Sequence, residues 1–129
     1  LVFRTWSDSI VYSLGANWLA LEPGRVALSA GSLWTGRDEG AAWKLGQGMG
    51  EREYVKHVTF SKRFDTPPQV VVGSSFLDVD QSKNTRVEVS ARDVTPEGFD
   101  LVLKTWSDSI VYSLGANWLA LAPPRPTTA

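Results

Sequence analysis

From residue 22 to residue 121 the apolar positions recur mostly every second residue, the spacing of strands with one buried face. In Thr85–Arg92, Val87, Val89 and Ala91 fall on one face, and Arg86, Glu88, Ser90 and Arg92 on the other. Phe99, Leu101 and Leu103 alternate with Asp100 and Lys104, and only Val102 interrupts the polar side. Tyr54–Phe60, Gln69–Phe76 and Ile110–Leu121 read as three further strands and Val26–Trp34 as a sixth. Breakers separate them at Gly36–Gly50, Asp65–Pro68, Asp80–Asn84 and Thr95–Gly98. No segment carries a helical stripe. The pattern predicts an all-β, six-stranded antiparallel sandwich.

A repeat divides the chain. Residues 1–21 (LVFRTWSDSIVYSLGANWLAL) return as residues 101–121 with changes only at Phe3/Leu103 and Arg4/Lys104. An offset of 100 residues is a domain period, too long for a solenoid. Residues 22–121 therefore read as one complete unit. Residues 1–21 read as the last hairpin of a preceding unit, or as a duplicated or swapped segment. Such a hairpin is marginal alone in water, so packing on a neighbour or exchange between chains is expected. Residues 122–129, with three prolines, read as a linker or tail. The chain opens at Leu1 without a signal peptide and its one methionine is Met49, so it reads as a processed or excised piece.

Composition narrows the chemistry. Thirteen basic against 14 acidic residues speak against a phosphate-gripping nucleic-acid binder. No apolar run reaches the roughly 20 residues of a membrane helix, so membrane insertion is not expected. The absence of cysteine excludes disulfides and thiolate metal sites, and a single histidine, His57, excludes a histidine-rich zinc site. No cofactor is implied.

Four local patterns invite a functional reading. Gly46-Gln47-Gly48-Met49-Gly50 has neither the spacing nor the following helix of a phosphate loop, and reads as a flexible surface loop. Asp78, Asp80, Ser82 and Asn84 open like a calcium loop, but Lys83 and Val89 stand where glycine and a bidentate acid belong, which favours a side-chain-bonded turn. His57 with Ser107, Asp108 or Ser109 lacks triad spacing. Trp106, Ser107-Asp108-Ser109 and Tyr112 form an aromatic and polar corner between two strands. By parity Trp106 lies opposite Leu101 and Leu103, where it serves either packing or a ligand, and flat aromatic rings suit sugar C–H faces.

The run LDVDQSKNTRVEVSARDVTPEGF, followed by TWSDSIVYS and WLAL, resembles the H-type lectin domain of snail agglutinins and the C-terminal part of discoidins. The resemblance covers roughly residues 25–121 and includes HVTF at 57–60 and the Pro67-Pro68 step. It implies a trimer with metal-free sites for galactose or N-acetylgalactosamine-type sugars in clefts between protomers. The family's sugar-contacting arginine, tryptophan and tyrosine fall on Arg86, Trp106 and Tyr112. Ser107 stands where the best-known agglutinin has histidine. The family's acidic contact falls near Met49, its neighbouring glycine on Gly48, and Glu51 is a partial substitute for the acid. The lack of cysteine fits folding in a reducing cytosol such as a bacterium's.

The leading expectation is therefore a non-enzymatic carbohydrate-binding module of an extracellular, cell-surface or virion-associated bacterial adhesin or phage-type fibre. Its expected partners are Gal-type glycans or bacterial polysaccharide and two further copies of itself. The alternative is a trimerising spacer whose sugar site has decayed. A glycosidase built on Asp78 and Asp80 ranks third.

Overall fold

The computed structural model describes residues 1–20 and 27–122. Six strands form: β1 (Leu28–Gly36), β2 (Arg52–Thr59), β3 (Gln69–Val79), β4 (Glu88–Arg92), β5 (Gly98–Thr105) and β6 (Val111–Leu121). They make two antiparallel three-stranded sheets, ordered β1-β6-β3 and β2-β5-β4. The last two strands thus occupy the centre of both sheets. The expected all-β class and all six strands are present, with ends shifted by a few residues. Val26, expected to open β1, lies outside the described residues.

The core lies between the sheets. From β5, Phe99, Leu101 and Leu103 are fully buried, and from β6 so are Val111, Leu114, Ala116 and Ala120. The sheets meet where Phe99 packs edge-on against Trp118 at 5.4 Å and Phe60 closes the cluster 5.8 Å from Phe99. Burying each large side chain of this set contributes about 1.5–3 kcal/mol against conformational entropy. Val102, which breaks the alternation, is buried on the opposite face of β5, between Val55 of β2 and Ser90 of β4. A central strand is covered from both sides, so one apolar side chain fits on its outer face.

The stretch Gly36–Gly50, read as a breaker, carries more structure than its glycines announce. Two short 3₁₀ segments, Arg37–Ala42 and Lys44–Gly46, fold it inward. Trp43 and Leu45 enter the core, and the Trp43 indole Nε1–H donates to the Val111 carbonyl at 2.8 Å. This segment has no strand or helix period, so its two core residues carry no periodic signal.

Residues 1–20 behave unlike their copy. They form a turn at Ser7–Asp8 but no strand. Leu1, Ile10, Tyr12 and Trp18 are exposed. Trp6 is the point of attachment, its ring stacked on Phe76 at 4.9 Å with Trp34 edge-on to the same phenyl at 5.5 Å. The hairpin expected over residues 1–21 is present only as its turn, because unpaired strands have nothing to hydrogen-bond along their length, and even in the second copy the two strands enter different sheets instead of pairing with each other. The joint after it and the proline-rich tail after Ala122 lie outside the described residues.

Candidate functional site

The residues singled out in the sequence gather at one end of the sandwich, around the turn between β5 and β6. Trp106 leaves β5 and remains 39% exposed. Ser107 follows with φ of 57°, a left-handed conformation that serine seldom adopts, and the Ser109 amide donates back to the Trp106 carbonyl. A positive φ at the first central residue alone is the pattern of a type II′ turn, here carrying the chain from one sheet to the other.

Two arginines hold this turn in place. Arg52, at the start of β2, is buried and donates to four carbonyls: Gln47 at 2.6 Å, Gly50 at 2.9 Å, Ser107 at 3.0 Å and Ser109 at 2.8 Å. The Gly50 amide adds a bond to the Ser107 carbonyl at 2.9 Å. The glycine-rich loop is therefore strapped to the aromatic corner, and the flexible loop expected there is anchored. Gly48 and Gly50, with φ of 81° and 80°, supply the left-handed backbone that this path requires.

Arg86 binds from the other side. Its guanidinium donates to Asp108 Oδ1 at 2.7 Å and to Ser109 Oγ at 3.1 Å, and its carbonyl accepts from Thr105 Oγ1 at 2.6 Å. The Ser109 hydroxyl in turn donates to the Asn84 carbonyl. An arginine fork with one arm committed to Asp108 has further N–H donors to offer a hydroxyl-bearing ligand.

Tyr112 sits at the second residue of β6, on the flank of the corner. Its hydroxyl donates to Asp80 Oδ2 at 3.0 Å, and the Arg37 guanidinium lies 3.8 Å over its ring. The hydrogen bond to Asp80, then burial, pushes the Tyr112 hydroxyl above its ordinary pKa. Asp80 is held below the usual carboxylate range, first by the Ser82 hydroxyl at 2.7 Å, then by the Ser82 amide at 2.8 Å and the Tyr112 hydroxyl. Both oxygens of Asp80 are thus occupied by protein donors, the side-chain-bonded turn expected for this loop. A carboxylate kept ionised in this way is ill suited to be the proton donor of a glycosidase pair.

Glu51 lies 3.6 Å from Lys104 Nζ, which also reaches Glu88 at 3.5 Å. The two carboxylates, Glu51 foremost, raise the Lys104 pKa. His57 pairs with Asp100 at 2.9 Å towards the first end of β5, whereas Ser107–Ser109 follow its other end, so no triad assembles. Beside Tyr112 an open groove of about 260 Å³ is lined by Trp34, Arg37, Asp38, Glu39 and Asp78, among others. Among the described residues, no cluster of three or more acidic or imidazole side chains could hold a metal ion, and no helix is long and apolar enough to cross a membrane.

The structure therefore brings Arg86, Trp106, Ser107 and Gly48 to one corner, with Tyr112 and Glu51 on its flanks. Arg52 and Arg37 were not singled out in the sequence. Nothing in an arginine at a strand start, or one following a glycine, distinguishes it until the carbonyls and ring that it meets are placed.

The model of the H-type lectin domain matches residues 55–121, more than half of the chain and all of its strands from β3 to β6. The chain belongs to the H-type lectin domain family. This H-type lectin domain is 35% identical over 116 residues to the ATP synthase subunits region ORF 7 protein of Fuscovulum blasticum, covering 87% of the chain and 90% of that relative. It is 40% identical over 79 residues to a discoidin-1 polypeptide of Dictyostelium discoideum, covering 60% of the chain and 31% of that polypeptide. Recombinant discoidin II of Dictyostelium discoideum shares the fold with a TM-score of 0.69 and 26% identity, over 83% of the chain and 41% of discoidin II. The chain thus spans less than half the length of the discoidins it matches.

Proposed function

We propose that this domain is a carbohydrate-binding module that recognises surface glycans at the corner between β5 and β6. Membership of a lectin family supports carbohydrate binding in general. The observation that carries the site is the partly exposed Trp106 at the head of a turn whose Asp108 and Ser109 side chains the Arg86 fork binds, a turn that Arg52 and Arg86 hold from two sides. Arg86, Trp106, Ser107 and Tyr112 provide the wall and donors. Gly48 and Glu51 join them from the loop that Arg52 ties to the same corner, and a neighbouring protomer of a homotrimer closes the cleft. Galactose or N-acetylgalactosamine-type sugars, or a bacterial polysaccharide, are the ligands, with Met49 and Ser107 altering the preference within that class.

A shallow site of this kind binds weakly; millimolar affinity corresponds to about −4 kcal/mol. Several sites on one trimer raise avidity roughly 10²–10⁴-fold where the spacing of the glycan allows. That logic fits a module of an extracellular adhesin or a phage-type fibre. Glycan-array binding by the assembled protein, lost in Arg86→Ala and Trp106→Ala with mass and melting temperature kept, supports the proposal. Silence across Gal-type and capsular glycans refutes it.

A second reading is favoured by Met49, 72% exposed where the family's acid is expected, and by the commitment of Arg86 to Asp108. Under it the domain is a trimerising spacer. Any glycan binding abolished by Arg86→Ala while the trimer persists excludes this reading, and a monomeric mass in native mass spectrometry excludes it as well.

A further inference from the structure

The groove beside Tyr112 is built by the sheet β1-β6-β3 and the bend that follows β1. That strand ends at Gly36, and the 3₁₀ segment starting at Arg37 sets Arg37, Asp38 and Glu39 along one rim. Asp78, near the end of β3, stands on the opposite rim. Ser113 of β6 pairs with both Gly36 and Asp78, so the floor between the rims carries little side chain. Trp34 adds an aromatic wall. It is 65% exposed, and Phe76 meets it edge-on at 5.5 Å, which orients the ring without covering it.

We propose that this groove is a second sugar subsite, which takes an uncharged ring of a glycan whose adjoining ring sits at the corner between β5 and β6. The inference rests on the reading of that corner as a sugar site. Tyr112 is the wall that the two places share. It flanks the corner and lines the groove, with its hydroxyl held by Asp80 and its ring 3.8 Å beneath the Arg37 guanidinium. The groove's polar groups suit hydroxyls in both directions. Arg37 supplies N–H donors, and Glu39, which accepts from the Thr35 hydroxyl at 3.1 Å, has lone pairs for further donors. The exposed indole of Trp34 offers an apolar face to sugar C–H groups.

Size and charge narrow the ligand. A volume of about 260 Å³ lies below the roughly 300–1,000 Å³ of pockets that enclose drug-sized ligands, so the groove has room for one ring and not for a chain. Asp38, Glu39 and Asp78 outnumber the one guanidinium of Arg37, which leaves the groove negative. A uronic acid would bring a carboxylate against these three, whereas a neutral hexose meets no such repulsion. Trp34, Arg37, Asp38 and Glu39 all precede residue 55, where the match to the family model begins, so this selection lies outside the matched segment.

Isothermal titration of the full chain tests the subsite. Galactose and N-acetylgalactosamine are compared with neutral disaccharides that end in them, and with the same disaccharides carrying a uronic acid as the second unit. We expect a neutral disaccharide to bind several-fold more tightly than its terminal monosaccharide, and the uronic acid version to lose that gain. Trp34→Ala should abolish the gain and keep both the monosaccharide affinity and the melting temperature. Asp78→Asn should let the uronic acid disaccharides bind more tightly, with monosaccharides unchanged. Equal affinity for mono- and disaccharides, a gain that survives Trp34→Ala, or a uronic acid accepted as well as the neutral ring would each overturn the inference and leave the corner reading standing. No binding of any of these sugars would refute the corner reading, and the inference with it.

Discussion

Arg52→Ala should loosen the candidate site and destabilise the domain together, because one guanidinium ties the loop at Gln47–Gly50 to the turn at Ser107–Ser109. Its four acceptors differ in what they lose. The Gln47 and Gly50 carbonyls lie in an exposed loop and can turn to water, and the Ser107 carbonyl keeps the Gly50 amide. The Ser109 carbonyl is the buried acceptor and is left unpaired, at a cost of about 1–3 kcal/mol. The buried aliphatic stem adds about 1 kcal/mol more at roughly 25 cal/mol per Å². A loss of about 3 kcal/mol follows. At about 4 °C per kcal/mol for a domain of this size, the melting midpoint should fall by about 12 °C.

Urea unfolding followed by tryptophan fluorescence reads this directly, and glycan binding of the still-folded fraction reads the site. Arg52→Lys should recover less than half of the loss, since an ammonium cannot fork to carbonyls on two segments. A loss below about 1 kcal/mol for Arg52→Ala, or full recovery by lysine, would refute the strap.

Three further outcomes are expected. Asp80 has a lowered pKa in the folded state, so its contribution is present above the ordinary carboxylate value near 4 and fades as pH falls through the lowered one; melting curves from pH 7 to pH 2 should show an acid-side loss that is smaller in Asp80→Asn. Gly98→Ala places a methyl group against the Val58 carbonyl where β2 and β5 meet, and thermal melting should show it destabilised by about 1–3 kcal/mol. Trp43→Phe leaves the Val111 carbonyl without its indole donor, and denaturant unfolding should register about 1–3 kcal/mol.

The strands were legible because a half-covered sheet imposes period two, and each of the six segments shows it at least in part. The core contribution of Trp43 and Leu45 was not, since an irregular segment has no period from which an inward face can be read. Trp106 and Arg86 could be singled out by residue type and family pattern. Their bracing could not. Arg52 meets the Ser107 and Ser109 carbonyls 55 and 57 residues away, and Tyr112 meets Asp80 across 32 residues. Such pairs are made by the sheet register, which local sequence does not encode.

The repeated segment separates the two kinds of determination within one chain. Trp-Ser-Asp-Ser forms the same turn twice, with serine φ of 59° and 57° and closing amide bonds of 3.3 and 3.4 Å. Four residues and their own backbone suffice for that, so sequence alone decides it. The flanking residues are nearly identical in both copies, yet only the second becomes β5 and β6. A strand needs a neighbouring strand to take its hydrogen-bonding groups, and among the described residues only the second copy has such neighbours, β2 and β4 for β5 and β1 and β3 for β6. The tertiary structure chose which copy of the sequence would be the core.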